Sequence, residues 1–151
     1  ESRLWFNSKI DVLKEAGFRR IAERYPHAIL QCPIDHMAPL ILSVPATALS
    51  LLDIFREWGI NRFSISWKTP FLEAVLEKLD RWGFEVNIYN VPDLESFLKA
   101  VLLLPQSITS DFNFTPTLSN QLQHRGYTTS VKKMMEECPL SSRTTHQGAL
   151  I

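Results

Sequence analysis

Glycine is scarce. Five glycines are scattered through 151 residues, and none stands near another, which excludes a glycine-rich loop that cradles phosphate with backbone N–H groups. Cysteine is rarer still. Cys32 and Cys138 lie over a hundred positions apart, and no paired Cys or paired His motif with metal spacing occurs. Two free thiols fit a reducing compartment, so a cytoplasmic location is expected. No excess of one charge exists either. Sixteen basic side chains balance sixteen acidic ones, leaving no field to draw in nucleic acid or an anionic membrane surface. The longest apolar run, "AVLLLP", is far short of the roughly 20 residues a spanning helix needs, so no membrane span is expected. The opening "ESRLWFNSKI" has no basic-then-apolar leader. A start at Glu1 instead of methionine reads as a processed product or a fragment. No G-x-S-x-G elbow is found.

What is present is a sentence written twice. "EWGINRFSISWKTP" and "RWGFEVNIYNVPD" place Trp58 and Trp82 24 positions apart. In each, a helical pattern ends in Trp-Gly, a short apolar run follows, and a polar or aromatic cluster closes at proline. The same grammar extends in both directions. "RLWFN" reads as a strand, and Ser8 with Asp11 has capping-box spacing for a helix. Gly17 interrupts that helix and allows two short ones. "AILQCPI" is the second strand. "PATALSLLDIFREWG" is a helix with Pro45 in its first turn, a buried stripe of Ala48, Leu51, Leu52 and Phe55, and Gly59 as its left-handed stop. "NRFSISW" is the third strand. Thr69 then caps a helix with Pro70 at its first position, lined by Leu72, Val75, Leu76 and Leu79 and stopped by Gly83. "FEVNIYNV" is the fourth strand. Asp93 caps a helix with an apolar face of Leu94, Phe97, Leu98, Val101 and Leu102, and "SITSDF" is the last strand.

Strand and helix thus alternate about five times, which predicts an α/β fold with a parallel sheet. Phe63, Ile65 and Trp67 fall on one side of their strand, with Ser64, Ser66 and Lys68 on the other. Small or polar residues at alternate positions suit the inside of a barrel, whereas an open doubly wound sheet favours continuous apolar strands. The fold expected is a partial (β/α) barrel over residues 1–114. From Thr115 the character changes. Ser, Thr, Asn and Gln make up 14 of the last 37 residues, with Tyr127 the sole aromatic, so 115–151 is expected to be a poorly ordered polar tail. "SVKKMMEECP" within it suits a short helix.

In parallel β/α folds, ligands meet the carboxyl ends of the strands. That rule selects Asn7, Gln31, Asp35 and His36, then Trp67, Lys68 and Thr69, then Tyr89 and Asn90, and finally Ser110 and Asp111. Lys68 can meet a phosphate as a point charge, Trp67 and Tyr89 can form an apolar wall, and Asn90 can hydrogen-bond a hydroxyl. Plainer roles compete. Asp93 suits a cap, Trp67 suits the core, and adjacent Asp35 and His36 on a strand would point opposite ways. The substrate-binding set expected is Lys68, Tyr89, Asn90 and Trp67, with no catalytic residue and no metal ligand in this chain.

Residues 4–114 resemble the C-terminal half of the glycerophosphodiester phosphodiesterases, which are TIM barrels, and the resemblance is carried mainly by 82–112. "YNVPD" at Tyr89–Asp93 is similar to that family's aromatic-polar-Val-x-Asp strand, and "ITSD" at Ile108–Asp111 to its final strand. "RWGFEVNI" is similar to its helix-Gly-strand entry. The resemblance implies a fragment of a phosphoric diester hydrolase, supplying barrel wall and substrate pocket for a small phosphodiester. The family's His-Arg-Gly start, Glu-x-Asp metal pair and second histidine are absent upstream of these strands. A divalent metal such as magnesium or calcium is therefore expected in the full-length family and not here. "HRG" at His124–Gly126 lacks the family's neighbours and reads as a chance tripeptide, as does "NFT" at Asn113 for glycosylation. The alternative is a non-catalytic half-barrel that binds a small anion or self-associates, as a homodimer through its open strand edges.

Overall fold

The computed structural model describes residues 4–112 and 127–132. They belong to two compact units, Glu1–Val86 and Asn87–Ile151. The architecture is mixed α/β.

In the first unit, strands β1 (Trp5–Asn7), β2 (Ile29–Pro33) and β3 (Arg62–Ser66) lie side by side in chain order, all parallel. Helix α1 (Ile10–Arg24) links the first two. A 3-10 turn (Asp35–Met37), α2 (Ala38–Ser43) and α3 (Pro45–Glu57) link β2 to β3, and α4 (Leu72–Arg81) follows β3. The strand alternation expected from the sequence holds. Phe63 and Ile65 are buried, and Phe63 meets Phe84 edge-on at 5.3 Å. Cys32 stands beside Phe63 in register, so these side chains share the apolar side of the sheet. Gln31 pairs in register with Asn7 and Arg62, which together with Ser64 occupy the opposite side. Asn61 ties β3 to β2: its Oδ1 accepts the Leu30 N–H at 2.9 Å and its Nδ2 donates to the Ala28 carbonyl at 3.1 Å.

Both Trp-Gly pairs make one and the same reversal. Gly59 has φ +100° and Gly83 φ +80°. The Gly59 N–H donates to the Arg56 carbonyl at 3.0 Å and the Ile60 N–H to Phe55 at 3.3 Å. Gly83 and Phe84 repeat this with Asp80 and Leu79, at 2.9 and 3.0 Å. Each is a Schellman stop, which satisfies the last helical carbonyls while turning the chain towards its next strand.

In the second unit, β4 (Val86–Val91), which begins one residue before the boundary, pairs in parallel with β5 (Ser107–Ser110) across α5 (Leu94–Val101). Asp93 caps α5 as expected, its Oδ1 accepting the Ser96 N–H at 2.8 Å. A further strand, β6 (Tyr127–Ser130), pairs antiparallel with β5. It falls inside the stretch read as a polar tail, and this antiparallel partner departs from the all-parallel expectation. Asn113, His124–Gly126, Cys138 and most of "SVKKMMEECP" lie outside the described residues.

Four local expectations are corrected. The break in α1 is at Lys14 (φ 61°, ψ 168°), not at Gly17. Ser8 does not cap α1; Lys9 is the cap residue and makes no side-chain cap bond, while the Ser8 hydroxyl donates to the Lys9 carbonyl. Thr69 does not cap α4, because Phe71 occupies the cap position in a left-handed conformation and starts the helix at Leu72. On α5, Phe97 and Val101 are buried but Leu94, Leu98 and Leu102 are exposed, and on α3 Leu51 is exposed while Ala48 and Leu52 are buried. Apolar periodicity marks a helical face without saying which part of it is covered.

Two stability outcomes follow. An added Cβ at Gly59 falls 2.4 Å from the Ala22 Cβ, whereas at Gly83 it meets nothing within 4 Å. Gly83→Ala should cost about 1–2 kcal/mol of left-handed strain, and Gly59→Ala a further 1–3 kcal/mol or so of overpacking; equal losses in urea unfolding would contradict this close approach. The Ser96 backbone N–H, chiefly, holds the Asp93 carboxyl below its ordinary value. A depressed carboxyl stabilises the fold above its unfolded pKa of about 4 and ceases to do so as pH falls through the lower folded value. The difference in Tm between wild type and Asp93→Asn should therefore be flat above about pH 5 and shift against wild type on further acidification.

Candidate functional site

The carboxyl ends of β2 and β3 are joined by a short hydrogen-bonded relay. Beyond β2, the Ile34 N–H still donates to the Ser64 carbonyl at 2.9 Å. Asp35 then turns into the 3-10 segment, and its Oδ1 accepts the Ser66 N–H at 2.6 Å. Ser66 shapes the loop after β3: its Oγ accepts the Lys68 N–H at 3.1 Å and its carbonyl the Thr69 N–H at 3.0 Å. Asp35 is thus a tether between two strand ends. Its partner His36 in the sequence reading is exposed.

Against this relay lies a pocket of about 540 Å³. Ala38, Pro39 and Leu42 of α2 form one wall, Pro70 and Phe71 another, and Asp35, Ser66, Lys68 and Thr69 supply the polar groups. Its size and its apolar lining with a few convergent polar groups are those of small-molecule sites. Phe71 has φ +57° and is 78% exposed. A bulky side chain in the left-handed region and in water is doubly unusual, and such strain concentrates at ligand sites. Lys68 is exposed and forms no ion pair among the described residues. Trp67 is half-buried, directly after β3, and is not among the residues lining the pocket.

Tyr89 and Asn90 belong to β4 of the second unit. Between the pairs Ile88–Ile108 and Val91–Ser110, these two residues stand against the single Thr109, which makes a β-bulge. Asn90 adopts φ +62° there, a conformation Asn tolerates better than most side chains. Both are half-buried. The pair is therefore set on an irregularity that re-aims side chains, a feature no alternation rule reveals. Beside it runs a polar network that the sequence reading missed. The Ser107 hydroxyl donates to Asn87 Oδ1 at 2.6 Å, Asn87 Nδ2 donates to Thr109 Oγ1 at 3.1 Å, and Thr109 Oγ1 lies 2.7 Å from Thr128 Oγ1. Its signal was the alternating small hydroxyls of "SITS". Gln31 differs: it is 3% exposed and its Oε1 has no partner among the described residues.

Burial pushes the Cys32 thiol up to about 12, so it is protonated at neutral pH and is no nucleophile. Among the described residues no group of three or more His, Cys, Asp or Glu is placed to hold a metal, and none of their helices is long and apolar enough to cross a membrane. Comparison of the chain with known protein families, curated proteins and solved structures returns no match.

In a Cys138→Ser background, iodoacetamide should label Cys32 only as fast as the fold opens. Labelling at the rate of a free peptide thiol under native conditions would refute the buried, protonated state.

Proposed function

We propose that the first unit binds a small amphipathic anion, of the phosphodiester class, in the pocket at the carboxyl ends of β2 and β3. The observation that carries this reading is the apolar-walled pocket with Lys68 among its lining residues, at the strand ends where β/α folds hold ligands. The pocket walls accept the apolar substituent, and the Lys68 ammonium meets the charge. Ser66 and Thr69 hydroxyls are hydrogen-bonding groups for the ester oxygens. Under the resemblance to glycerophosphodiester phosphodiesterases, this pocket is a substrate-holding part of a TIM-type barrel. That family's His-Arg-Gly and Glu-x-Asp patterns do not precede these strands, so the chain alone is expected to bind without turnover.

Titration calorimetry with bis-para-nitrophenyl phosphate, and with glycerophosphocholine as the more polar diester, tests the reading. The aromatic diester should bind more tightly, because the walls are apolar. Lys68→Ala should weaken it by about tenfold, the scale of one hydrogen bond to a charged group, and Leu42→Glu should abolish it by placing a like charge in the wall. Binding unaffected by both substitutions would remove the pocket from the account.

A further inference from the structure

We propose that the chain forms a weak homodimer by antiparallel pairing of α5 with its copy. Leu94, Leu98 and Leu102 are 52%, 56% and 57% exposed, and Leu104 just beyond is 57% exposed. The first three recur every four residues, so they form the kind of ridge that the commonest helix–helix packing interdigitates. Together the four leave on the order of 400 Å² of apolar surface, within the range of the largest patches on soluble proteins, which are often functional.

The charges beside the ridge favour a second copy as the occupant. Asp93 and Glu95 lie at the start of α5 and Lys99 near its end. All three are exposed, and Glu95 and Lys99 stand 3.4 Å apart along one flank. With a two-fold axis at Leu98, Leu94 meets the partner's Leu102, and the charged flank faces its own counterpart in reverse. Each Glu95 then lies beside the partner's Lys99, and the helix dipoles oppose. A parallel two-fold pairing would carry the two charged flanks to opposite sides of the pair, where Glu95 and Lys99 meet no counterpart. The leucines bury on the order of 800 Å² across the pair, below a standard interface, so the affinity should be in the micromolar range. This route differs from pairing of open strand edges and does not depend on the pocket.

Sedimentation velocity of the whole chain from about 5 to 500 μM spans the range expected for so small an interface. The mass should rise from one chain towards two. Leu98→Glu should hold it at one chain with an unchanged far-UV circular dichroism spectrum. Glu95→Lys and Lys99→Glu should each be monomeric, and an equimolar mixture of the two should associate, since every cross-pair is again opposite in charge. A wild type that stays monomeric throughout overturns the proposal and leaves the ridge to a different protein. So does a Leu98→Glu chain that still dimerises, which would point to the strand edges, or a mixture that fails to associate.

Discussion

The fold of the first unit depends on how a helix is made to stop and turn back. A parallel sheet requires that each helix release its chain at a place from which the next strand can begin. Here the release is a left-handed glycine directly after a tryptophan, twice, with the same pair of backbone hydrogen bonds. The aromatic residues around these stops anchor them. Trp58 lies against both Phe18 and Phe55, and Trp82 meets Phe84 edge-on. Arg56, from the turn before Gly59, covers the Phe84 ring at 4.1 Å. The two reversals are therefore tied to one another as well as to their own helices.

Sidedness follows from these stops. Once the chain enters a strand in fixed phase, a one-residue slip would exchange Phe63 and Ile65 with Ser64 and Ser66. On the polar side of the first unit, Arg62 lies over the Trp5 ring and pairs with Glu85 at 2.8 Å. In the second unit the corresponding role falls to Asn87, whose amide is shared between Ser107 and Thr109. Asn87 and Ser107 are buried, and buried polar groups penalise any register that would leave them unpaired.

Much of this architecture was legible in the sequence. Gly59, Gly83 and the Asp93 cap are local devices with local signals, and β1 to β5 lie within or close to their expected spans, whereas β6 falls in the stretch read as a tail. The failures share a cause. Lys14, Phe71, Asn90 and Leu104 all adopt positive φ without being glycine, and except at Asn90 residue identity offers no warning of that. The α4 start was lost for this reason, and so was the bulge at Tyr89–Asn90. The leucines of α5 misled differently, because periodicity records a hydrophobic face whether or not anything covers it. For the site, the strand-end rule found Asp35, Lys68 and Thr69. It could not find Pro39 and Leu42, which reach the pocket from a helix whose placement depends on tertiary packing.

The paired Trp-Gly stops have a bearing on descent. A stretch of 24 residues from one tryptophan to the next contains its own re-entry, strand, crossover and exit. Such a stretch can be duplicated or deleted in a gene while its neighbours keep both their ends and their phase. Ala22 sets the limit on this freedom. Its methyl lies where any side chain at Gly59 would go, so the first stop is bound to the helix before it, while the second, with open space at Gly83, is held by its backbone conformation alone.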